Sequence, residues 1–175
     1  MSGKGGMHNH KSVKFLLLYS AITIIMAGCK STFPIPSITG QSASIEYHNT
    51  EYGFSLTLPT SWTGYTILTE QWQGLVAAPE GEAVEEKGLL ISIRHPLWTS
   101  ANPRQDIPIM VFTLSQWDSL QKGNFHIGAA PIGPSELGRN AKYVFALPAR
   151  YNYAFPTGFE EVEAILESHP LHIRR

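Results

Sequence analysis

The chain has 175 residues, with 13 Lys and Arg against 14 Asp and Glu and a formal net charge of −1. That balance lacks the basic face a nucleic-acid backbone calls for, which sets nucleic acid aside as a partner. Cys29 is the only cysteine, so a disulfide framework and a cysteine metal site within one chain are excluded.

The first element is a leader. Lys4, Lys11 and Lys14 precede the apolar run Phe15–Met26, which ends in Ala27-Gly28-Cys29. A basic head, a short apolar core and small residues before a boundary predict a secretory signal peptide over residues 1–28. The apolar run falls short of the roughly 20 residues that a retained spanning helix needs. Met26-Ala27-Gly28-Cys29 resembles a bacterial lipobox, with Met26 where Leu is usual. The resemblance implies cleavage before Cys29, lipidation of Cys29 and an anchor on the extracytoplasmic face of the cell membrane. An ordinary signal peptide with an incidental cysteine is the plainer alternative. Loss of residues 1–28 removes three lysines and leaves a net charge of −4. Residues 29–44, rich in Ser, Thr, Pro, Gly and Gln, read as the lipidated N-terminus and a tether. Residues 45–170 are the length of one domain with a good core, and 171–175 read as a tail.

The domain opens with a hairpin in which Ile45–Asn49 pairs with Phe54–Leu58 across Thr50–Gly53. Phe54, Leu56 and Leu58 alternate with Ser55 and Thr57, the period of a strand with one buried face. Pro59 ends it, and Trp62 is placed to roof the apolar face. Tyr65–Gln71 is a third strand, with Trp72 and Val76 continuing it past Gly74. Ala78–Lys87, with Pro79, Gly81 and four glutamates, reads as a solvated loop. Leu89–Arg94 and Ile107–Thr113 are strands joined by the polar loop Leu97–Asp106. A short helix follows, with Ser115 and Asp118 as a capping pair and Gly123 as its stop. Phe125–Ala130 and Lys142–Leu147 read as strands joined by the turn-rich Pro131–Ala141. The second of these is apolar on both faces, as a central strand would be. The last element is a helix capped by Thr157 and Glu160, with Phe159, Val162, Ile165 and Leu166 as its apolar stripe.

Tyr52-Gly53-Phe54-Ser55-Leu56-Thr57-Leu58-Pro59, followed by Trp62, resembles the opening of PsbP-like domains. The segments IRHP, QDIPIMVFT, APIGPSELGRN and YVFALPARYNYAF look like those of uncharacterised secreted bacterial lipoproteins. The resemblance implies an α+β fold, an antiparallel sheet with helices packed on it in a PsbP-like α/β/α sandwich, and a tendency toward partner binding. It transfers no site residue.

No G-x-S-x-G elbow, P-loop or H-E-x-x-H is present. His169 and His172 flank Pro170 near the end of the chain, a poor frame for a metal, and no cofactor is expected. Arg94, His95, Trp98, Arg104, Gln105 and Asp106 form the densest polar cluster. If the flanking strands pair, His95 and Asp106 come within reach of each other and could act as an acid–base couple in a small hydrolase. A core histidine, with an aspartate tying the loop to a histidine or an arginine, is the plainer alternative. Arg139, Asn140, Arg150, Tyr151, Tyr153 and Phe155 form a second cluster, suited to a protein or glycan partner because Tyr and Arg favour contact hot spots. Packing of the strand–helix crossover is its alternative. The reading is therefore a membrane-anchored binding or assembly module without catalysis.

Overall fold

The structure is a computed structural model that describes residues 43–129 and 131–174. The leader, Cys29 and the tether through residue 42 lie outside the described residues.

Strands β1 (Ser44–Asn49) and β2 (Phe54–Pro59) form the opening hairpin, with Asn49 opposite Phe54 and Ser44 opposite Pro59. Asn49 Oδ1 accepts from the Tyr52 amide at 2.9 Å and Gly53 turns the chain at φ 75°. Period two then sends Phe54, Leu56 and Leu58 fully inside. A 3-10 turn at Thr60–Trp62 follows Pro59 and buries Trp62 against the same cluster. The hairpin does not join the main sheet. Its partner is β9 (Leu171–Ile173), which pairs with β2 and completes a three-stranded sheet. Leu171–Ile173 is thus a strand and not a fraying tail: the Thr57 amide donates to Pro170 O and Arg174 N donates to Gly53 O.

The main sheet has six strands in the order β6-β3-β4-β5-β8-β7, every pair antiparallel. Strands β3 (Thr66–Ala78) and β4 (Gly81–Arg94) form one long hairpin turned at Pro79-Glu80. The segment Ala78–Lys87 is therefore mostly strand, a correction to the solvated loop expected there. Its backbone groups are satisfied across the pair while its side chains stay in water, so charge on both faces does not forbid an extended arm. Strand β5 (Ile107–Thr113) pairs with β4 and with β8 (Tyr143–Leu147), which makes β8 internal, as its two apolar faces require. Of the strand expected over Phe125–Ala130, the described residues 125–129 contribute only β6 (His126–Ile127), paired with β3 and not with β8. The partner of β8 is β7 (Ser135–Arg139), inside the stretch read as turns.

Each face of this sheet carries its own core. On one, Ile91 and Ile93 of β4, Ile107, Ile109 and Val111 of β5 and Phe145 of β8 pack with the β2 cluster and Trp62. Helix α2 (Phe159–Glu167) adds Val162 and Ile165 to that cluster. On the other, Met110, Phe112, Val144 and Ala146 pack with Trp72, Phe125 and Trp117 of α1 (Leu114–Gln121). Each fully buried Val, Ile, Phe or Met among them contributes about 1.5–3 kcal/mol by leaving water. The fold is α+β, dominated by antiparallel sheet.

Both helix starts differ from expectation. The cap of α1 is Thr113, which accepts from the Gln116 amide at 3.2 Å while Gln116 Oε1 accepts from the Thr113 amide at 3.0 Å. Ser115 and Asp118 are not the capping pair; Asp118 instead bonds Lys122. Gly123, at φ 75°, does end the helix. The cap of α2 is Gly158 in the left-handed region, and Thr157 makes no side-chain cap. The Thr157 backbone is taken by a parallel bridge to Arg104, and its carbonyl accepts from the Gln105 amide at 2.9 Å.

Candidate functional site

The two polar clusters read from the sequence have different fates. His95 follows β4 on the Ile91/Ile93 face and is 3% exposed. Its ring meets Trp62 edge-on at 4.9 Å, and Nδ1 accepts from the Leu97 amide at 3.0 Å. Asp106 points elsewhere. Both of its oxygens accept from Arg94, the closest contact being 2.8 Å from an Arg94 terminal nitrogen, and Arg94 also lies over the Trp98 ring at 3.8 Å. The structure does not join His95 to Asp106 as an acid–base couple. Strand parity separates them: Arg94 stands on the face opposite Ile93 and captures the carboxylate, while His95 turns inward.

Burial, with cationic Arg104 adding to it and Glu161 opposing, lowers the His95 pKa from its ordinary 6.5. The folded protein keeps this ring neutral at a pH where the unfolded chain takes up a proton. Stability is then full above about pH 6.5 and falls as the pH drops below that value toward the lower folded pKa. Glu136, held low by Arg139, loses its contribution only as the pH falls below 4.5. His95→Phe should flatten the dependence of the unfolding free energy on pH just below 6.5. An unchanged slope in urea titrations across that range would show that another group sets it.

Glu161, in the first turn of α2, gathers the base of the same region. One of its oxygens accepts from Ser61 Oγ at 2.9 Å and Trp62 Nε1 at 3.2 Å, and the other from Arg104 at 3.3 Å. Gln105 is buried, and its amide nitrogen donates to Asp106 O at 2.8 Å and Tyr151 O at 3.3 Å. Through these bonds and the Arg104–Thr157 bridge, the β4–β5 loop (residues 95–106) carries the loop between β8 and α2 (148–158) on its back. The sequence marked Gln105 and Glu161 only as polar members of a loop and of a helix start. Nothing in the spacing announced that Gln105 would bond Tyr151 or that Glu161 would bond Ser61, Trp62 and Arg104.

The second cluster is divided. Asn140 is a structural residue: Nδ2 donates to Tyr52 O at 2.8 Å and Oδ1 accepts from the Lys142 and Tyr143 amides at 2.9 Å. Arg139 pairs with Glu136. Both lie at the far end of β8, because Arg139 is opposite Val144 whereas Arg150 lies three residues beyond Leu147. They are therefore not part of one surface with the loop. Tyr151 is half-buried against the core. Tyr153 and Phe155, by contrast, are 77% and 69% exposed.

The loop that presents them is tightly wound. Arg150, Ala154 and Phe155 hold φ of 55°, 73° and 48°, in the left-handed region that side chains disfavour. Two turns close it, Tyr153 N to Arg150 O at 2.9 Å and Phe155 N to Asn152 O at 3.0 Å. Asn152 Nδ2 donates to Glu163 Oε1, and the Phe155 ring leans on Phe159 at 5.0 Å. Three residues held at positive φ persist only where the surroundings over-determine them. The arrangement offers two aromatic faces and the Arg150 guanidinium to a partner, with no acid or base among its tips.

His172 stands on β9 and its Nε2 lies 3.2 Å from Thr57 Oγ1. Among the described residues no group of three or more His, Cys, Asp or Glu is gathered to hold a metal ion, and no helix is long and apolar enough to cross a membrane. The chain matches no protein-family model, no curated protein and no solved structure.

Proposed function

We propose that this protein is a lipid-anchored, extracytoplasmic binding or assembly module without catalytic activity, and that its contact surface is the loop Arg150–Phe155. The observation that carries this reading is the exposure of Tyr153 and Phe155 on a loop wound tightly enough to hold them out. Aromatic side chains give large contact area at low ordering cost, and a surface so fixed forfeits little on binding. The lipid anchor is supported by the basic head, the apolar run and Ala27-Gly28-Cys29, and two acyl chains on one cysteine hold a protein to a bilayer stably. The opening hairpin, with its buried Phe54, Leu56, Leu58 and Trp62, supports a PsbP-like module within the α+β class.

A photoreactive phenylalanine analogue placed at Tyr153, in the full chain in its own membranes, tests the surface. Adducts at position 153 and none at Val84, on the distal hairpin, are expected. Equal labelling at the two sites would refute the loop as the contact surface.

A further inference from the structure

Four large apolar side chains among the described residues are more than half exposed: Leu97 67%, Ile132 57%, Tyr153 77% and Phe155 69%. The sheet topology brings all four to one end of the molecule. Leu97 follows the last residue of β4, and Tyr153 and Phe155 follow the last of β8. Ile132 lies three residues before β7, whose first residue, Ser135, is opposite Leu147. Arg94 at the close of β4 is opposite Thr66 at the start of β3, which puts the same edge of the sheet under Trp62. The bonds from Gln105 to Tyr151 and Thr157 join the Leu97 loop to the aromatic loop.

The chain also enters the domain here. Ser44 is opposite Pro59, which runs directly into the turn carrying Trp62 and then into the start of β3. The tether thus joins the domain at the end where the apolar tips stand. The chain from Cys29 to Ala43 spans at most about 50 Å, so along the chain this end of the domain is the one nearer to Cys29. The distal end of the domain is of opposite character. The β3–β4 hairpin there carries Glu80, Glu82, Glu85 and Glu86 around its tip. Near the apolar tips, Asp106 is held by Arg94, Glu161 by Arg104 and Glu163 by Asn152, while Arg150 and, in the first turn of α2, Glu160 are exposed.

We infer that this end of the domain lies against the bilayer that holds the anchor. Tyr153, Phe155, Leu97 and Ile132 enter the headgroup region, Arg150 faces anionic headgroups, and the acidic hairpin points away. The inference rests on the lipid-anchor reading and names the bilayer interface as what the loop meets. Tyr153 suits that layer because its ring is apolar with a polar hydroxyl, and Phe155, Leu97 and Ile132 bury apolar surface at the acyl boundary. A negative surface potential attracts an arginine and repels a glutamate-rich tip.

The test uses the full chain purified from membranes and reconstituted into phosphatidylethanolamine–phosphatidylglycerol vesicles. Nitroxide labels are placed in turn at Tyr153→Cys, Phe155→Cys and Val84→Cys, and their collision rates with oxygen and with a water-soluble nickel complex are measured. The inference expects the oxygen-to-nickel ratio at 153 and 155 to exceed that at 84 several-fold. Equal, water-like ratios at all three positions would overturn it, including the case in which the tips serve a protein partner instead. Membrane recovery and the mass of the Cys29 peptide separate this failure from failure of the anchor. An acylated, membrane-bound protein with water-exposed labels refutes the orientation alone. A soluble, unacylated protein with water-exposed labels refutes both.

Discussion

Trp62→Ala is expected to lower the unfolding free energy by about 3–5 kcal/mol, the range for deleting a buried aromatic ring. Trp62 is 1% exposed, and it closes the cluster formed by Phe54, Leu56 and Leu58 on one side and Val162 and Ile165 on the other. Three separate interactions end with it: the packing, the edge-on contact with His95 at 4.9 Å and the indole bond to Glu161 at 3.2 Å. The cavity would sit where the 3-10 turn meets α2, and neither element slides easily to fill it, since each is fixed by its own backbone bonds. Trp62→Phe keeps one ring, so it removes the bond to the Glu161 carboxylate, about 1.5–3 kcal/mol, and leaves a smaller cavity than Trp62→Ala, and its cost should be the lower of the two. Urea unfolding of the two variants checks the order. A midpoint for Trp62→Ala equal to that of the parent would show that the residue is not part of the core.

Trp62 was legible because local rules act on it alone. A period-two strand, a proline that ends it and an aromatic three residues later need no knowledge of the rest of the chain. The same holds for β4, β5 and β8, whose apolar faces are written in their own residues. What escaped was set by distant partners. Strand β9 pairs with the edge of β2 left free by β1; Leu171-His172-Ile173 alternates, but three residues are too few for that period to be read as a strand. The β4 side of the long arm, residues 82–87, is rich in glutamate, so hydrophobic periodicity is silent there, and its pairing with the apolar residues 75–78 of β3 makes it a strand. The cap of α1 moved from Ser115 to Thr113 because Gln116, not Asp118, could complete the box. His95 and Asp106 are adjacent in any list of chemistry-bearing residues, yet strand parity turns His95 inward and Arg94 takes both Asp106 oxygens, so they do not meet. The aromatic loop was visible as composition; its winding at positive φ, which keeps Tyr153 and Phe155 outside, was not.

Gly88→Ala is the second large effect expected, and it tests how the other face of the sheet is held. Trp72 of β3 is opposite Gly88 of β4, and its ring lies across that glycine, where an added Cβ would come within 2.3 Å of Cε2 and Cζ2. Lying flat there, the indole reaches past β4 and donates to Val111 O of β5 at 2.9 Å. It is needed at that place because the pairing of β4 with β5 ends at Leu90 and Met110, one residue short of Val111. The ring continues the ladder where the backbone stops, and it stacks on Phe112 at 4.4 Å and on Phe125 at 6.2 Å. A methyl group at position 88 would lift the ring, breaking the bond and both stacks together. Overpacking of a filled core costs about 1–3 kcal/mol, and leaving a buried carbonyl without a donor adds about 1–3 kcal/mol. The double variant Gly88→Ala with Trp72→Leu gives the decisive comparison. Trp72→Leu removes the ring that the methyl group strikes, so its presence should make Gly88→Ala nearly free, a coupling of the size seen between residues in contact. Equal costs for Gly88→Ala with and without Trp72 would mean that the glycine serves the backbone of β4 and not the ring above it.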